Sequence, residues 1–187
     1  RILQEDEQVV ITEKIHGCSS VYVFDDNQFR VCSHNQLKLR PIEDEKTNAW
    51  WEIAKKYNLE EKLEKHRNLA IYGEVYGQVQ DLRYGTKQGE ILLAVFDVLD
   101  IKNRRWLNWG DVTHFCTELE LPLVPELYRG AWKPELKSFA EGLTTINNAD
   151  HVREGIVVKP LYERTDRKIG RVILKLHGEK FLLRKEK

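Results

Sequence analysis

Apolar residues recur along this chain at every second position in some stretches and every third or fourth in others, and the change of period marks out its elements. Residues 7–16 read as a strand centred on Val9, Val10 and Ile11. Residues 20–24 and 29–33 alternate around Asp25-Asp26-Asn27, three turn formers, and predict a hairpin. Asn48 stands as the N-cap of a helix running to about residue 57, with Trp50 or Trp51, Ile53 and Ala54 as its apolar face. Residues 59–66 form a second short helix. Residues 69–75 form a strand marked by glycines at 73 and 77.

The most apolar run, 90–99, is expected to be a central strand buried on both faces. A turn at 100–104 leads to Trp106 and Leu107, and a helix over 111–119 starts near Asn108. Residues 123–128 form a strand, and 134–141 a short helix with Pro134 in its first turn. Residues 155–159, 168–176 and 180–184 read as further strands. Helices do not alternate regularly with strands, so the expected class is α+β, with antiparallel sheets flanked by helices.

Composition narrows the picture. The 187 residues are 41% hydrophobic, enough for a substantial core, and 30 Lys and Arg balance 30 Asp and Glu. Zero net charge argues against binding nucleic acid through overall positive potential. The charge is unevenly spread, with nine Lys and Arg against three Asp and Glu between Arg164 and Lys187. Such a stretch either serves phosphates or defends a solvated sheet edge. No apolar run approaches a membrane span, so no membrane partner is expected. The three cysteines, Cys18, Cys32 and Cys116, form no C-x-x-C pair, which predicts neither disulfides nor a zinc site and suggests a reducing intracellular compartment. The chain starts at Arg1 and lacks methionine, which reads as a piece of a longer protein.

Candidate chemistry begins at Thr12-Glu13-Lys14-Ile15-His16-Gly17. A lysine is a poor nucleophile until its environment removes its proton, and the end of an apolar strand beside other cations can do so. Gly17 leaves space where a bulky charged ligand would meet the backbone. An isolated instance would be a solvated strand-end lysine. Four other stretches change that weighting. Tyr72-Gly73-Glu74-Val75 carries a carboxylate between glycines, and Phe96 lies in the apolar strand. Glu154 precedes Gly155 at a strand start, and Lys175 interrupts an apolar strand where burial would demand a counter-charge. Taken singly, Glu74 would pair with a lysine, Phe96 would fill a core and Glu154 would sit at the surface.

In this order the five stretches resemble the motifs of the covalent nucleotidyltransferase superfamily of ATP-dependent ligases and mRNA capping enzymes. Lys14 to Gly17 is more similar to the RNA ligase 2 group, since DNA ligases and capping enzymes usually have aspartate where His16 stands. The resemblance implies one nucleotidyltransferase (adenylation) domain over 1–187, of the ligase type likened to ATP-grasp. It implies ATP as cofactor with Mg²⁺ or Mn²⁺, and catalysis by Lys14 and Lys175. Lys14 would carry AMP as a phosphoramidate, and Lys175 would contact the α-phosphate. Glu13, Ile15 and Gly17 would border the nucleotide, Glu13 at the adenine edge. Glu74 would take the ribose hydroxyls, Phe96 would stack on adenine, and Glu154 would support the metal. Lys159 is a further candidate for a phosphate contact.

The chain departs from the pattern at three points. His34 and Asn35, still candidates to bind the nucleotide, stand in a setting where many relatives have Ser-Arg-Asn, Ser19 replaces a common asparagine, and His177 replaces a second lysine. As a partner the resemblance implies RNA with 5′-phosphate and 3′-hydroxyl ends, sealed by a monomer that has a further OB or helical domain. A DNA nick ligase, a GTP-dependent capping guanylyltransferase and a non-catalytic RNA-binding module are the alternatives.

Overall fold

Two antiparallel sheets carry the chain, seen in a computed structural model that describes residues 2–42 and 47–184. The first sheet has the order β12-β9-β1-β8, built from β1 (Gln8–Lys14), β8 (Glu126–Ala131), β9 (Gly155–Pro160) and β12 (Leu174–His177). The second has the order β4-β3-β2-β5-β6-β7. Its strands are β2 (Cys18–Asp25), β3 (Gln28–Ser33), β4 (Leu37–Lys38), β5 (Leu69–Gly77), β6 (Ile91–Asp100) and β7 (Arg105–Trp106). A separate hairpin pairs β10 (Thr165–Asp166) with β11 (Gly170–Arg171). Among the described residues four α-helices accompany them: α1 (Ala49–Lys56), α2 (Leu59–Glu64), α3 (Trp109–Glu118) and α4 (Glu179–Leu183). This is the α+β architecture that the mixed periodicity predicts.

Strand β1 lies between β8 and β9 and is buried on both faces, which is why its sequence is a continuous apolar run. Val10 enters the larger core with α1, α2 and α3, while Val9 and Ile11 enter a smaller one with Trp132, Ile156 and Val172. The predicted hairpin closes on Asp26 and Asn27, both at positive φ (43° and 59°), a conformation that Asn and Asp tolerate. The Asn48 side chain accepts a hydrogen bond from the Trp51 backbone N–H at 3.1 Å and so starts α1 where expected.

Several expectations are corrected. The 180–184 segment is helix α4, because Phe181 is drawn into the larger core and a single turn suffices to bury it. The strand expected over 168–176 is split, with β11 pairing to β10 and β12 pairing to β9. The strand expected over 123–128 starts later, at Glu126. The short helix after Pro134 is a 3₁₀ helix over Pro134–Ala140. Strand β6 is buried but not central; it lies beside the two-residue edge strand β7. The Val95 N–H donates to Pro122 and the Val95 carbonyl accepts from Val124, so part of its outer edge is satisfied there.

The three cysteines are free thiols, and no helix among the described residues is long and apolar enough to cross a membrane. In the basic C-terminal stretch Arg164 pairs with Glu7, Arg171 with Asp97 and Glu163, and Arg184 with Asp81. Its last three residues lie outside the described ones.

Candidate active site

A cleft of about 420 Å³ opens between the two sheets, within the range of about 300–1,000 Å³ usual for small-molecule sites. Strand periodicity of two selects what lines it. Thr12 and Lys14 come from β1, Val157 and Lys159 from β9, and Lys175 from β12. The other wall is Ser19 and Val21 from β2, Tyr72 and Glu74 from β5, Trp106 from β7, and two neighbours from β6, Phe96 and Asp97.

That last pair breaks the alternation, and the register explains how. Tyr72 pairs with Asp97 but Gly73 pairs with Val95, so Phe96 is the extra residue of a β-bulge. A bulge re-aims side chains, and here it brings an aromatic ring and a carboxylate together at the cleft. Asp97 is 2% exposed and accepts from Lys159 Nζ at 2.5 Å and from two Arg171 nitrogens at 2.8 Å each. Arg171 also grips Glu163 and lies 4.0 Å over the Trp106 ring. The Lys159 ammonium donates further to the Phe96 carbonyl at 3.2 Å. Lys159 borders the cleft as expected, but its charge is engaged in holding the Phe96–Asp97 bulge.

At the other end of the cleft lies Lys14, whose Nζ is 2.5 Å from Glu154 Oε1. Glu154 is flanked by two more basic groups, His16 Nδ1 at 3.6 Å and His177 Nε2 at 3.3 Å. Burial opposes ionisation of Glu154. Hydrogen bonds from His16 and Lys14, and their charges, outweigh it and hold the carboxyl below its usual range. Its hydrogen bond with Glu154 raises the His16 pKa against the opposing effect of burial, with further support from Asp81.

Glu74 is the reverse case. Burial pushes it up to about 7; Lys14 opposes that rise and the charge of Glu154 adds to it. Two nearby carboxyls are thus driven apart, one firmly ionised and one ready to exchange a proton near neutrality.

The remaining expected residues sort clearly. Lys175 lines the cleft but is exposed, so no buried counter-charge is demanded; it has no ion-pair partner among the described residues. Ile15 lines the cleft, and so does His34 from the turn after β3. Asn35 is exposed in that turn and is not part of the lining. Glu13 also borders the cleft, but its carboxylate accepts from the Thr144 hydroxyl and from the Thr145 N–H (2.9 Å) and hydroxyl (2.8 Å). Its backbone N–H donates to the Pro125 carbonyl at 2.9 Å, so Glu13 meets the cleft with its polar groups largely engaged.

Gly17 makes room for protein rather than ligand. A Cβ there would stand 2.2 Å from the Val75 carbonyl oxygen. Gly155 has the same role beside Glu154: its φ is 156°, and a Cβ would stand 2.0 Å from the Leu176 carbonyl oxygen. Both glycines let neighbouring strands close on the charged residues beside them.

Sequence reasoning missed the loop between β5 and β6. Its Tyr84 hydroxyl accepts the His16 backbone N–H at 2.6 Å, and its Asp81 lies 2.8 Å from His16 Nε2. The run Gln80-Asp81-Leu82-Arg83-Tyr84 has no periodicity that would set it apart from any polar loop.

A divalent cation is the group this chemistry implies, and the donor set fits a hard one. No cluster of three or more His, Cys, Asp or Glu among the described residues would cage a metal. Magnesium and manganese need less, commonly one or two carboxylates completed by water and substrate oxygens. The ionised carboxylate of Glu154, buried and not itself lining the cleft but bonded to Lys14, which does, meets that description.

The RNA ligase family model matches residues 7–177. No curated protein sequence matches significantly. Among solved structures the chain is similar to Naegleria gruberi RNA ligase. A variant with ATP and Mn is 24% identical, with a TM-score of 0.80 over 95% of this chain and 52% of that one. The same ligase with PPi is 25% identical, with a TM-score of 0.80 over 95% and 51%. A further variant, with AMP and Mn, is 24% identical, with a TM-score of 0.80 over 95% and 52%. The chain spans about half the length of these relatives.

Proposed function

Because this chain belongs to the RNA ligase family, we propose that it is the adenylyltransferase part of an ATP-dependent RNA ligase, with Lys14 as the nucleophile. The observation that carries the reading is the Lys14–Glu154 pair, whose lysine lines a cleft with an aromatic ring, a second carboxylate and a lysine without an ion-pair partner among the described residues. The Naegleria gruberi relatives hold ATP, AMP, PPi and Mn, the substrate, products and ion such a reaction would use.

The chemistry divides into three displacements at phosphorus. Lys14 Nζ, free of its proton, attacks the α-phosphorus of ATP; the P–N bond forms, the bond to the bridging oxygen breaks, and pyrophosphate leaves. The RNA 5′-phosphate then attacks the same phosphorus; the P–O bond forms, the P–N bond breaks, and the Lys14 amine leaves the phosphorus, taking up a proton from solvent. A 3′-hydroxyl finally attacks the activated 5′-phosphate, joins the strand and releases AMP.

Such transfers ask for positioning and charge compensation more than for acid–base work. Phe96 stacks on the adenine, and the bulge held by Lys159 and Arg171 keeps its ring at the cleft. Ile15 and Glu13, both lining the cleft, border the base. Glu74 accepts from the ribose hydroxyls, and the exposed His34 lines the cleft beside them. Lys175, which lines the cleft, meets the α-phosphate and offsets charge developing there. A divalent cation, Mg²⁺ or Mn²⁺, held by Glu154 and water would neutralise phosphate charge. Lys14 must leave Glu154 before it attacks, and a cation held by that carboxylate would compete with Lys14 for it.

Incubation with α-labelled ATP, GTP or NAD⁺ and Mg²⁺ or Mn²⁺ tests the reading, after intact mass has excluded AMP already bound. A label from ATP alone, lost in Lys14→Ala, is expected. A label from GTP would move the protein to capping chemistry, and a label that survives Lys14→Ala would remove the nucleophile.

A further inference from the structure

One set of partly buried charges takes no part in the proposed chemistry, and it is centred on His16, two residues after the nucleophile. Asp81, from the loop between β5 and β6, stands between two cations from opposite ends of the chain. His16 Nε2 is 2.8 Å from its Oδ1. Arg184, just past α4, donates to both of its oxygens over 3.1–3.3 Å. The Arg184 guanidinium in turn lies 3.6 Å over the Phe181 ring. Phe181 meets the His16 ring edge-on at 5.4 Å and stacks with His177 at 6.1 Å. Both histidines face Glu154. The contacts therefore close into a ring: Glu154, His16, Asp81, Arg184, Phe181, His177 and back.

The same loop grips His16 a second time. Tyr84 accepts the His16 backbone N–H, and Tyr84 itself is fully buried at a φ of 53°. A large aromatic in left-handed backbone is strained, and such strain persists only where surrounding contacts over-determine it. Here they include the Asn147 side chain bonded to its carbonyl and His151 bonded to its N–H. A loop held rigid at this cost fixes both the backbone and the ring of the residue two places after Lys14.

We propose that Asp81 is a positioning residue for the nucleophile: it orients the His16 imidazole toward Glu154 and fastens α4, through Arg184, against the lysine motif. The inference rests on the reading of Lys14 as the adenylated residue. Asp81 does not line the cleft, so its effect should fall on the rate of the chemical step and not on capture of ATP.

The test compares Asp81→Ala, Arg184→Ala and the double variant with the unaltered chain, with Asp81→Asn as the milder change should alanine prevent folding. Each single variant is expected to slow lysyl-AMP formation by roughly 10- to 100-fold, the range for partners one layer behind a reactive group. Half-saturation by ATP should stay within about twofold, and the double variant should fall well short of the product of the singles because both act through one contact. A folded Asp81 variant with an unchanged rate, or a shift confined to ATP half-saturation, would overturn the proposal. The ¹⁵N signals of the His16 ring give a readout independent of turnover: they should move in Asp81→Ala, and unchanged signals would also overturn it. Failure of the unaltered chain to take any label would count against the ligase reading, while the ring signals would still decide the role of Asp81.

Discussion

The Lys14 ammonium lies 2.5 Å from the Glu154 carboxylate, although 140 positions separate them in sequence. The strand pairing fixes this meeting, because Lys14 at the end of β1 is the register partner of Gly155, the residue after Glu154. One contact thus joins the residue read as nucleophile to the carboxylate read as metal support.

Replacing Glu154 by Gln should therefore cost turnover far more than structure. The variant is expected to lose about 100-fold or more of divalent-dependent labelling by ATP, the scale on which charge-stabilising groups act. Circular dichroism should remain that of the unaltered protein. Full activity with a normal dependence on Mg²⁺ would take Glu154 out of the site.

Phe96 has a different signature. Base–aromatic stacking is worth about 1–3 kcal/mol, so Phe96→Ala should raise half-saturation by ATP roughly tenfold. Initial rates of lysyl-AMP formation across ATP concentrations measure this. A variant that loses stability yet keeps its ATP dependence would return Phe96 to a packing role.

Asp97 is placed to matter for stability first. Its removal leaves Lys159, 3% exposed, and Arg171 without their shared counter-charge. Unpairing a buried charge of this kind costs about 3–5 kcal/mol, and Asp97→Ala should lose that much in urea unfolding. Adding Lys159→Met should recover part of the loss, because the uncompensated cation then disappears. A loss under about 1 kcal/mol, typical of a surface pair, would contradict the burial argument.

Glu74 predicts a dependence on pH. Its usual value of 4.5 applies to the unfolded chain, and burial lifts it to about 7 in the folded protein. The folded state therefore binds the proton more tightly. The contribution of Glu74 to stability is fully present below about pH 4.5, declines as pH rises toward 7 and stays lost above it. Glu74→Gln cannot titrate, so its stability relative to the unaltered protein should rise between pH 5 and pH 8 in urea unfolding. Parallel profiles for the two proteins would show that burial does not raise Glu74.

Much of this was legible in the sequence where chemistry is local. Alternation of two along β2 and β3 follows from pleating, so that hairpin could be read directly, and β1 could be read from the apolar run that burial on both faces requires. The Asn48 cap and the Asp26–Asn27 turn were equally local, since each depends on a side chain within a few residues of the backbone it serves. Helix α4 was not legible. Five residues hold too few turns for a period to appear, and only the pocket formed by His16, His177 and Arg184 around Phe181 selects the helix.

By itself the sequence determined which reactive groups exist and in what order: Lys14, Glu74, Phe96, Glu154 and Lys175. Tertiary structure decided their conditions. It exposed Lys175, spent the Lys159 charge on Asp97, occupied the Glu13 carboxylate with two threonines and filled the space beside Gly17 with a strand. It alone brought Asp81 to His16. Such outcomes depend on distances between segments far apart in the chain. A residue's type sets which charge or hydrogen bond it offers, but only the folded neighbours set what that offer meets.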